Sequence, residues 1–159
     1  MKKNKGFSLV ELIIVIAIMA ILAAAIAPAL IRYIDKSRKA DDIAAAETIN
    51  TAVQTSLSNE DAYDEVMGNM TGAILATATP GAAFQANGGS YTSFLKEVNS
   101  NLGGAAPKLK YKKNLTEEAT FMPNGWAIAC SNGKPVVYIT DGGTTNKVQV
   151  QPSISKDYK

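Results

Sequence analysis

The sequence predicts an α+β protein in which a long N-terminal helix packs against a four-stranded antiparallel sheet. Two patterns predict this fold. Leu12 to Ile31 is apolar at every position and leads without a turn signal into an amphipathic helical repeat. From Lys108 onward, short alternating or aliphatic runs separated by glycine-rich turns are typical of antiparallel strands. The 159 residues accommodate one ordinary domain after the apolar run is set aside.

The apolar segment, Leu12 to Ile31, is long enough to span a membrane. Its 20 residues rise about 30 Å as a helix, which matches the hydrocarbon core of a bilayer. Lysines at positions 2, 3 and 5 place the N-terminus inside and the rest outside by the positive-inside rule. Exposing its large aliphatic side chains to water would cost about 18 to 36 kcal/mol, more than a typical domain's stability of about 5 to 15 kcal/mol. The segment must therefore lie in lipid, be removed, or be buried against other chains.

Three other interpretations of this region compete. A secretory signal peptide would be cleaved at Ala25 to Ala27, but the run exceeds the usual apolar core of about 7 to 15 residues and Glu11 interrupts its start. A plain transmembrane anchor explains length and orientation but leaves Glu11 unexplained. A capping box of Ser8 and Glu11 would satisfy free amides at the helix start, a local role that is compatible with any function.

The stretch KGFSLVELIIVIAIMAIL, Lys5 to Leu22, closely resembles the N-terminal signature of type IV pilins and the related pseudopilins. In that family a short basic leader ends in glycine, phenylalanine follows, and a glutamate lies four residues later in an apolar helix. Gly6, Phe7 and Glu11 occupy these positions, and Pro28 matches a proline that the family commonly carries. The resemblance is specific over residues 2–31; beyond them it rests on architecture.

The resemblance implies processing and assembly. A prepilin peptidase would cleave between Gly6 and Phe7 and N-methylate the new amino group of Phe7. A carboxylate near hydrocarbon is costly unless it is paired with a cation. In the family, Glu11 would pair with the amino terminus of a neighbouring subunit and recruit it to the fibre, whereas the alternative is the capping box with an intrachain pair. Pro28 removes a helix hydrogen bond, so we expect a bend or local melting there.

The function implied is a structural subunit that polymerises into a type IV pilus serving adhesion or motility. Its partners would be copies of itself, the prepilin peptidase, the pilus assembly platform, and the cytoplasmic membrane before assembly. A pseudopilin of a type II secretion or DNA-uptake machine is the alternative. An adhesive exported domain with a simple anchor stays open as a third class.

Composition argues against other classes. The chain has no histidine, which removes the usual general base and the commonest metal ligand, so no enzyme and no cofactor are expected. The net charge of +2 does not suggest that the subunit binds nucleic acid.

We divide the chain into a leader (1–6), a long helix (7–58), an intermediate region with short helices (59–107), and a sheet with a tail (108–159). The long helix comprises a membrane and assembly half, 7–31, and an amphipathic half, 32–58. Five side chains spaced three or four residues apart would line the face that packs on the domain: Ile43, Ala46, Ile49, Val53 and Leu57. Arg38 and Asp42 are spaced for an exposed ion pair on another face.

The intermediate region is predicted to hold one short helix near residues 60–70 and a better one between Ser90 and Gly104, with a surface loop at 76–89 between them. An acidic cluster lacks the spacing of a calcium loop and is interpreted as a solvated face: Glu60, Asp61, Asp64 and Glu65.

Four strands are predicted, at residues 108–112, 125–131, 134–140 and 146–152, with an Asn132-Gly133 hairpin turn between the middle pair. Cys130 is expected to be a buried small hydrophobe. Asp141 to Asn146 has oxygen ligands that would suit calcium, but a glycine-rich turn explains it. Other core candidates are Trp126, Ala127, Ile128, Ala129, Val137 and Ile139.

Overall fold

The computed structural model describes residues 7–67, 71–115, 121–131, 133–145 and 147–158. The leader and Asn132 of the predicted hairpin turn lie outside the described residues. A single helix, α1, runs from Leu9 to Ser56. The chain divides into two compact units, Met1–Ser37 and Arg38–Lys159, and we call the second unit the head.

Among its described residues, the head contains two further helices and a five-stranded antiparallel sheet. Helices α2 and α3 span Glu60–Met67 and Thr92–Asn101. The strands in chain order are β1 (Thr71–Ala78), β2 (Gln85–Ala86), β3 (Gly125–Ser131), β4 (Lys134–Thr140) and β5 (Lys147–Gln151), followed by a 3₁₀ turn at Lys156–Tyr158. The order across the sheet is β2-β1-β3-β4-β5, and the described neighbours pair antiparallel. The α+β prediction, a long apolar helix with an antiparallel sheet, is confirmed.

The core of the head lies between the C-terminal half of α1 and the sheet. Ala46, Ile49 and Val53 of α1 are fully buried, because their three- and four-residue spacing keeps them on one helix face. Every core candidate predicted in β3 and β4 is buried, and Cys130 is 1% exposed. The Trp126 indole N–H donates to the Pro107 carbonyl at 2.8 Å, so this large side chain is buried with its polar group satisfied.

The number of strands differs from the four predicted, and the predicted strand at 108–112 is wrong. Its alternating pattern does bury Leu109 and Tyr111, but the segment is extended backbone that bonds to α1 instead of to a strand. Strand β1 lies inside the sheet, between β2 and β3, although the end of its sequence was predicted to be part of a loop. Its residues, TGAILATA, include one β-branched aliphatic side chain and no aromatic ones, so the usual strand signal is weak.

Glu65 also differs from its predicted role as part of a solvated acidic face. Its two carboxylate oxygens accept the backbone N–H groups of Ser93 and Phe94 at 3.0 and 2.9 Å. These amides belong to the first turn of α3, which has no side-chain cap of its own. Glu65 therefore caps a neighbouring helix and joins α2 to α3.

Candidate functional site

The apolar segment and its flanks expose their large side chains. Those between Phe7 and Ile34 are 39–83% exposed. The most apolar 18-residue stretch of α1 has a mean hydropathy of 3.0, and none of it is buried. Length and composition are sufficient for a membrane span. In water this surface would be strongly unfavourable, so it needs lipid or other chains to cover it.

Glu11 lies in the first turn of α1 and forms part of the predicted capping box. The Ser8 N–H donates to Glu11 Oε2 at 2.8 Å, and the Leu12 N–H donates to the Ser8 carbonyl at 3.2 Å. Glu11 is nevertheless exposed, so its carboxylate stays accessible to a second partner. The capping contact and an ion pair with another group are therefore compatible. Gly6, the other side of the predicted cleavage site, lies outside the described residues.

Pro28 lies inside α1, which continues through it. Proline has no N–H, so the carbonyl of Ala24 receives no helical hydrogen bond from position 28. The sequence-based expectation of a bend or melting at this position stays a prediction.

Asp42 is a buried polar centre that the sequence analysis missed. The predicted exposed ion pair with Arg38 is wrong, because Asp42 is 0% exposed. Its Oδ1 accepts the Lys110 N–H at 2.7 Å, and its Oδ2 accepts the Tyr111 N–H at 2.9 Å and the Tyr158 hydroxyl at 2.7 Å. One carboxylate thus fastens an extended segment and the C-terminal 3₁₀ turn to α1.

Two tyrosine rings and a lysine surround this carboxylate. The rings of Tyr111 and Tyr158 meet edge to face with centroids 6.2 Å apart. The Lys39 ammonium lies 5.0 Å and 5.6 Å from the two ring centroids, distances that suit a cation–π interaction. Burial raises the pKa of the Tyr158 hydroxyl, and its hydrogen bond to the Asp42 carboxylate and the charge of that group raise it further. The hydroxyl therefore stays protonated and donates to Asp42.

Spacing alone would have placed Asp42 on the buried face. It lies four residues before Ala46 and seven before Ile49, so all three occupy one side of the helix. A charged residue on an apolar face requires several hydrogen-bond donors. The donors come from positions about 68 and 116 residues further along the chain, which helix periodicity cannot reveal.

The described residues show how the acidic and cysteine side chains are arranged. They contain no group of three or more His, Cys, Asp or Glu side chains arranged to hold a metal ion. Burial raises the pKa of the Cys130 thiol to about 11, so the thiol is protonated at neutral pH and is a poor nucleophile. The loop from Asp141 to Asn146 was weighed above as a calcium site or a glycine-rich turn. Asp141 Oδ1 accepts the Gly143 N–H at 3.0 Å, as in a tight turn.

Comparison with known proteins agrees with the N-terminal resemblance. Residues 1–27 match the family described as the prokaryotic N-terminal methylation motif. The chain is also 41% identical over 59 residues to a fimbrial protein of Moraxella nonliquefaciens. That alignment covers 37% of this chain and 38% of the relative, so it spans well under half of either protein. No solved structure matches the chain significantly.

These matches agree with the resemblance of the N-terminus to type IV pilins. The apolar helix fits membrane anchoring.

Proposed function

We propose that this protein is the building subunit of a type IV pilus. The observation that carries the proposal is an apolar helix surface that is unburied in the single chain and begins with an accessible carboxylate. A permanent membrane anchor needs the apolar surface but not Glu11. Assembly of many copies uses both, because neighbouring helices bury the apolar surface and supply a cation to the carboxylate.

Processing precedes assembly in this proposal. A prepilin peptidase cleaves between Gly6 and Phe7 and methylates the new amino group. The chain is held in the cytoplasmic membrane with its N-terminus inside, and the assembly platform then transfers it to the extracellular fibre. Each amino terminus pairs with Glu11 of an adjacent copy. A bend at Pro28 adjusts the helix to its neighbours.

The mature N-terminus tests the proposal. We expect mass analysis of chains purified from sheared surface fibres to find an N-methylated Phe7 as the first residue. A chain that begins at Met1, or at Pro28 after signal-peptide cleavage, would exclude the processing on which the proposal depends.

A pseudopilin is the second candidate, supported by the same N-terminal motif. Electron microscopy separates the two functions: labelled antibody against the head should decorate long, thin fibres on the cell surface. A chain that is confined to the envelope of secreting or DNA-importing cells would favour the pseudopilin.

A further inference from the structure

The head carries an uneven charge distribution. Positions 38–159 contain 11 basic and 12 acidic residues. Six of the basic residues and two of the acidic ones lie in two short stretches, 38–42 and 108–113, which we call the basic strip. The strip has a formal charge of +4 and the remainder of the head −5. Charge of one sign is therefore concentrated in a small part of a nearly neutral domain.

The fold brings the two stretches of the basic strip together. Asp42 accepts the backbone N–H groups of Lys110 and Tyr111. The Lys110 ammonium lies 2.9 Å from Asp41 Oδ2, and the Lys39 ammonium lies over the Tyr111 ring. The strip is thus one continuous surface built around the Asp42 carboxylate.

The geometry directs positive charge toward solvent. Exposed and buried side chains alternate along residues 108–112, which lie outside the helices and strands. Leu109 and Tyr111 are buried, whereas the lysines at 108, 110, 112 and 113 are exposed. One of the two acidic groups, Asp42, is fully buried. The solvent-facing part of the strip is consequently more positive than its formal charge.

The strip begins close to the apolar segment in the sequence. Arg38 follows Ile31, the last residue of that segment, by seven residues. Tyr33, which lies between them, is a residue type enriched at membrane interfaces. Residues 38–42 of the strip are therefore the part of the head that lies nearest to the membrane-compatible segment in sequence.

We propose that, before assembly, the basic strip binds anionic phospholipid headgroups on the outer surface of the membrane that holds α1. This inference rests on the proposed function, because it requires a membrane-embedded subunit. Each basic side chain near an anionic surface strengthens binding about fivefold.

A fluorescence measurement on the full chain tests this contact. Asn114 is exposed and adjoins the strip, whereas Cys130 is buried, so Asn114→Cys provides a selective labelling site. The labelled chain is reconstituted into phosphatidylcholine vesicles, with or without one-third phosphatidylglycerol, that carry a headgroup quencher. We expect stronger quenching with the anionic lipid, and we expect roughly 1 M salt to remove the difference.

Two triple variants with equal charge change supply the control. Changing Lys108, Lys112 and Lys113 to Gln should weaken the preference for anionic lipid on the order of 100-fold in a lipid titration. Changing three exposed lysines outside the strip, Lys96, Lys134 and Lys147, to Gln should alter it less than about threefold. Equal quenching in both vesicles, or equal effects of the two triples, would overturn the inference.

Two further outcomes are decisive. The chain is also tested for binding of short duplex DNA. If the lysines of the strip are needed for this binding and anionic vesicles do not displace the DNA, nucleic acid and not lipid is the ligand. Insertion of the apolar segment into the bilayer is measured separately from headgroup contact, by flotation of the chain with phosphatidylcholine vesicles after alkaline carbonate washing. If the chain floats but shows no headgroup contact, only this inference is refuted. If the chain does not float, the proposed function is refuted.

Discussion

At the scale of single residues, Asp42 shows how a charge contributes to the fold of the head. A buried carboxylate is costly unless donors surround it, and here two amides and a hydroxyl do so. The donors come from distant parts of the chain, so the carboxylate specifies where an extended segment and a C-terminal turn meet α1. Its neighbour Asp41 lies on the surface, in an ion pair whose two side chains are 48% and 58% exposed.

The contrast between these adjacent residues gives the first prediction. We expect Asp42→Asn to lower the free energy of unfolding by about 2 to 4 kcal/mol, because the amide loses the charge and turns its NH₂ toward a donor. Asp41→Asn should cost less than about 1 kcal/mol, since exposed ion pairs contribute little. Chemical denaturation of the detergent-solubilised chain, followed by Trp126 fluorescence, measures both. Similar losses for the two variants would contradict the role assigned to Asp42.

The second prediction concerns alkaline pH. The pKa of Tyr158 is raised above its usual 10.0, so the folded chain retains the hydroxyl proton after the unfolded chain has released it. Its contribution is fully present below about pH 10 and decreases as the pH rises further. We expect Tyr158→Phe to be less stable by about 1 kcal/mol at pH 7. The deficit should shrink between pH 10 and 11.5, and a deficit independent of pH would refute this linkage.

At the scale of elements, α2 and α3 depend on each other. Phe94 and Val98 of α3 and Ala62 and Val66 of α2 are buried, and Glu65 supplies the cap that the sequence of α3 lacks. Burial acts to raise the pKa of Glu65, but hydrogen bonds from Phe94 and Ser93 outweigh it and lower the pKa from 4.5. The cap is therefore strongest with the carboxylate ionised.

We therefore expect Glu65→Gln to destabilise the head by about 0.5 to 2 kcal/mol at neutral pH. The stability difference between the wild type and Glu65→Gln should disappear as the pH falls below 4.5. The lowered pKa of Glu65 stabilises the folded chain only at pH values where this carboxylate is ionised in the unfolded chain. Asp64→Asn, an exposed neighbour, should change stability by less than about 0.5 kcal/mol. Thermal unfolding between pH 3 and 7 gives the comparison, and a pH-independent difference would exclude charge as the origin of the cap.

In the apolar half of α1, Pro28 lacks the N–H that would complete one helical hydrogen bond. We expect Pro28→Ala to restore a hydrogen bond to the Ala24 carbonyl and to stabilise the local helix by about 3 kcal/mol. Amide exchange of residues 24–29 in lipid nanodiscs should slow more than tenfold, while residues 43–49 in the head stay unchanged as an internal control. Unaltered exchange around position 28 would mean that proline does not loosen this helix.

At the scale of the whole molecule, the chain combines a self-contained head with a segment that needs other molecules. The core is built from residues of the head, including the C-terminal half of α1. The apolar segment buries nothing within its own chain. In the proposed function, folding thus depends on one part of the helix and assembly on another, so a variant of the N-terminal region would change assembly without changing the head.

Glu11 variants test assembly while the head stays intact. Glu11→Gln keeps an oxygen that accepts the Ser8 N–H but loses the charge, whereas Glu11→Ala loses both. If Glu11 pairs with a neighbour's amino terminus, both variants should be processed yet yield at least tenfold fewer sheared fibres. If capping is its sole role, Glu11→Gln should assemble normally. Quantified pilin in the fibre and membrane fractions distinguishes these results.

The sequence by itself determined the long helix, its membrane-compatible half, the β3–β4 pair and the N-terminal methylation motif. These features depend on residues close together in the chain, whose periodicity and spacing are visible without a structure. Only the tertiary structure decided the place of β1 between β2 and β3, the burial of Asp42, and the cap from Glu65 to α3. Each depends on partners far apart in sequence, and the basic strip exists as one surface because the fold joins residues 38–42 with 108–113.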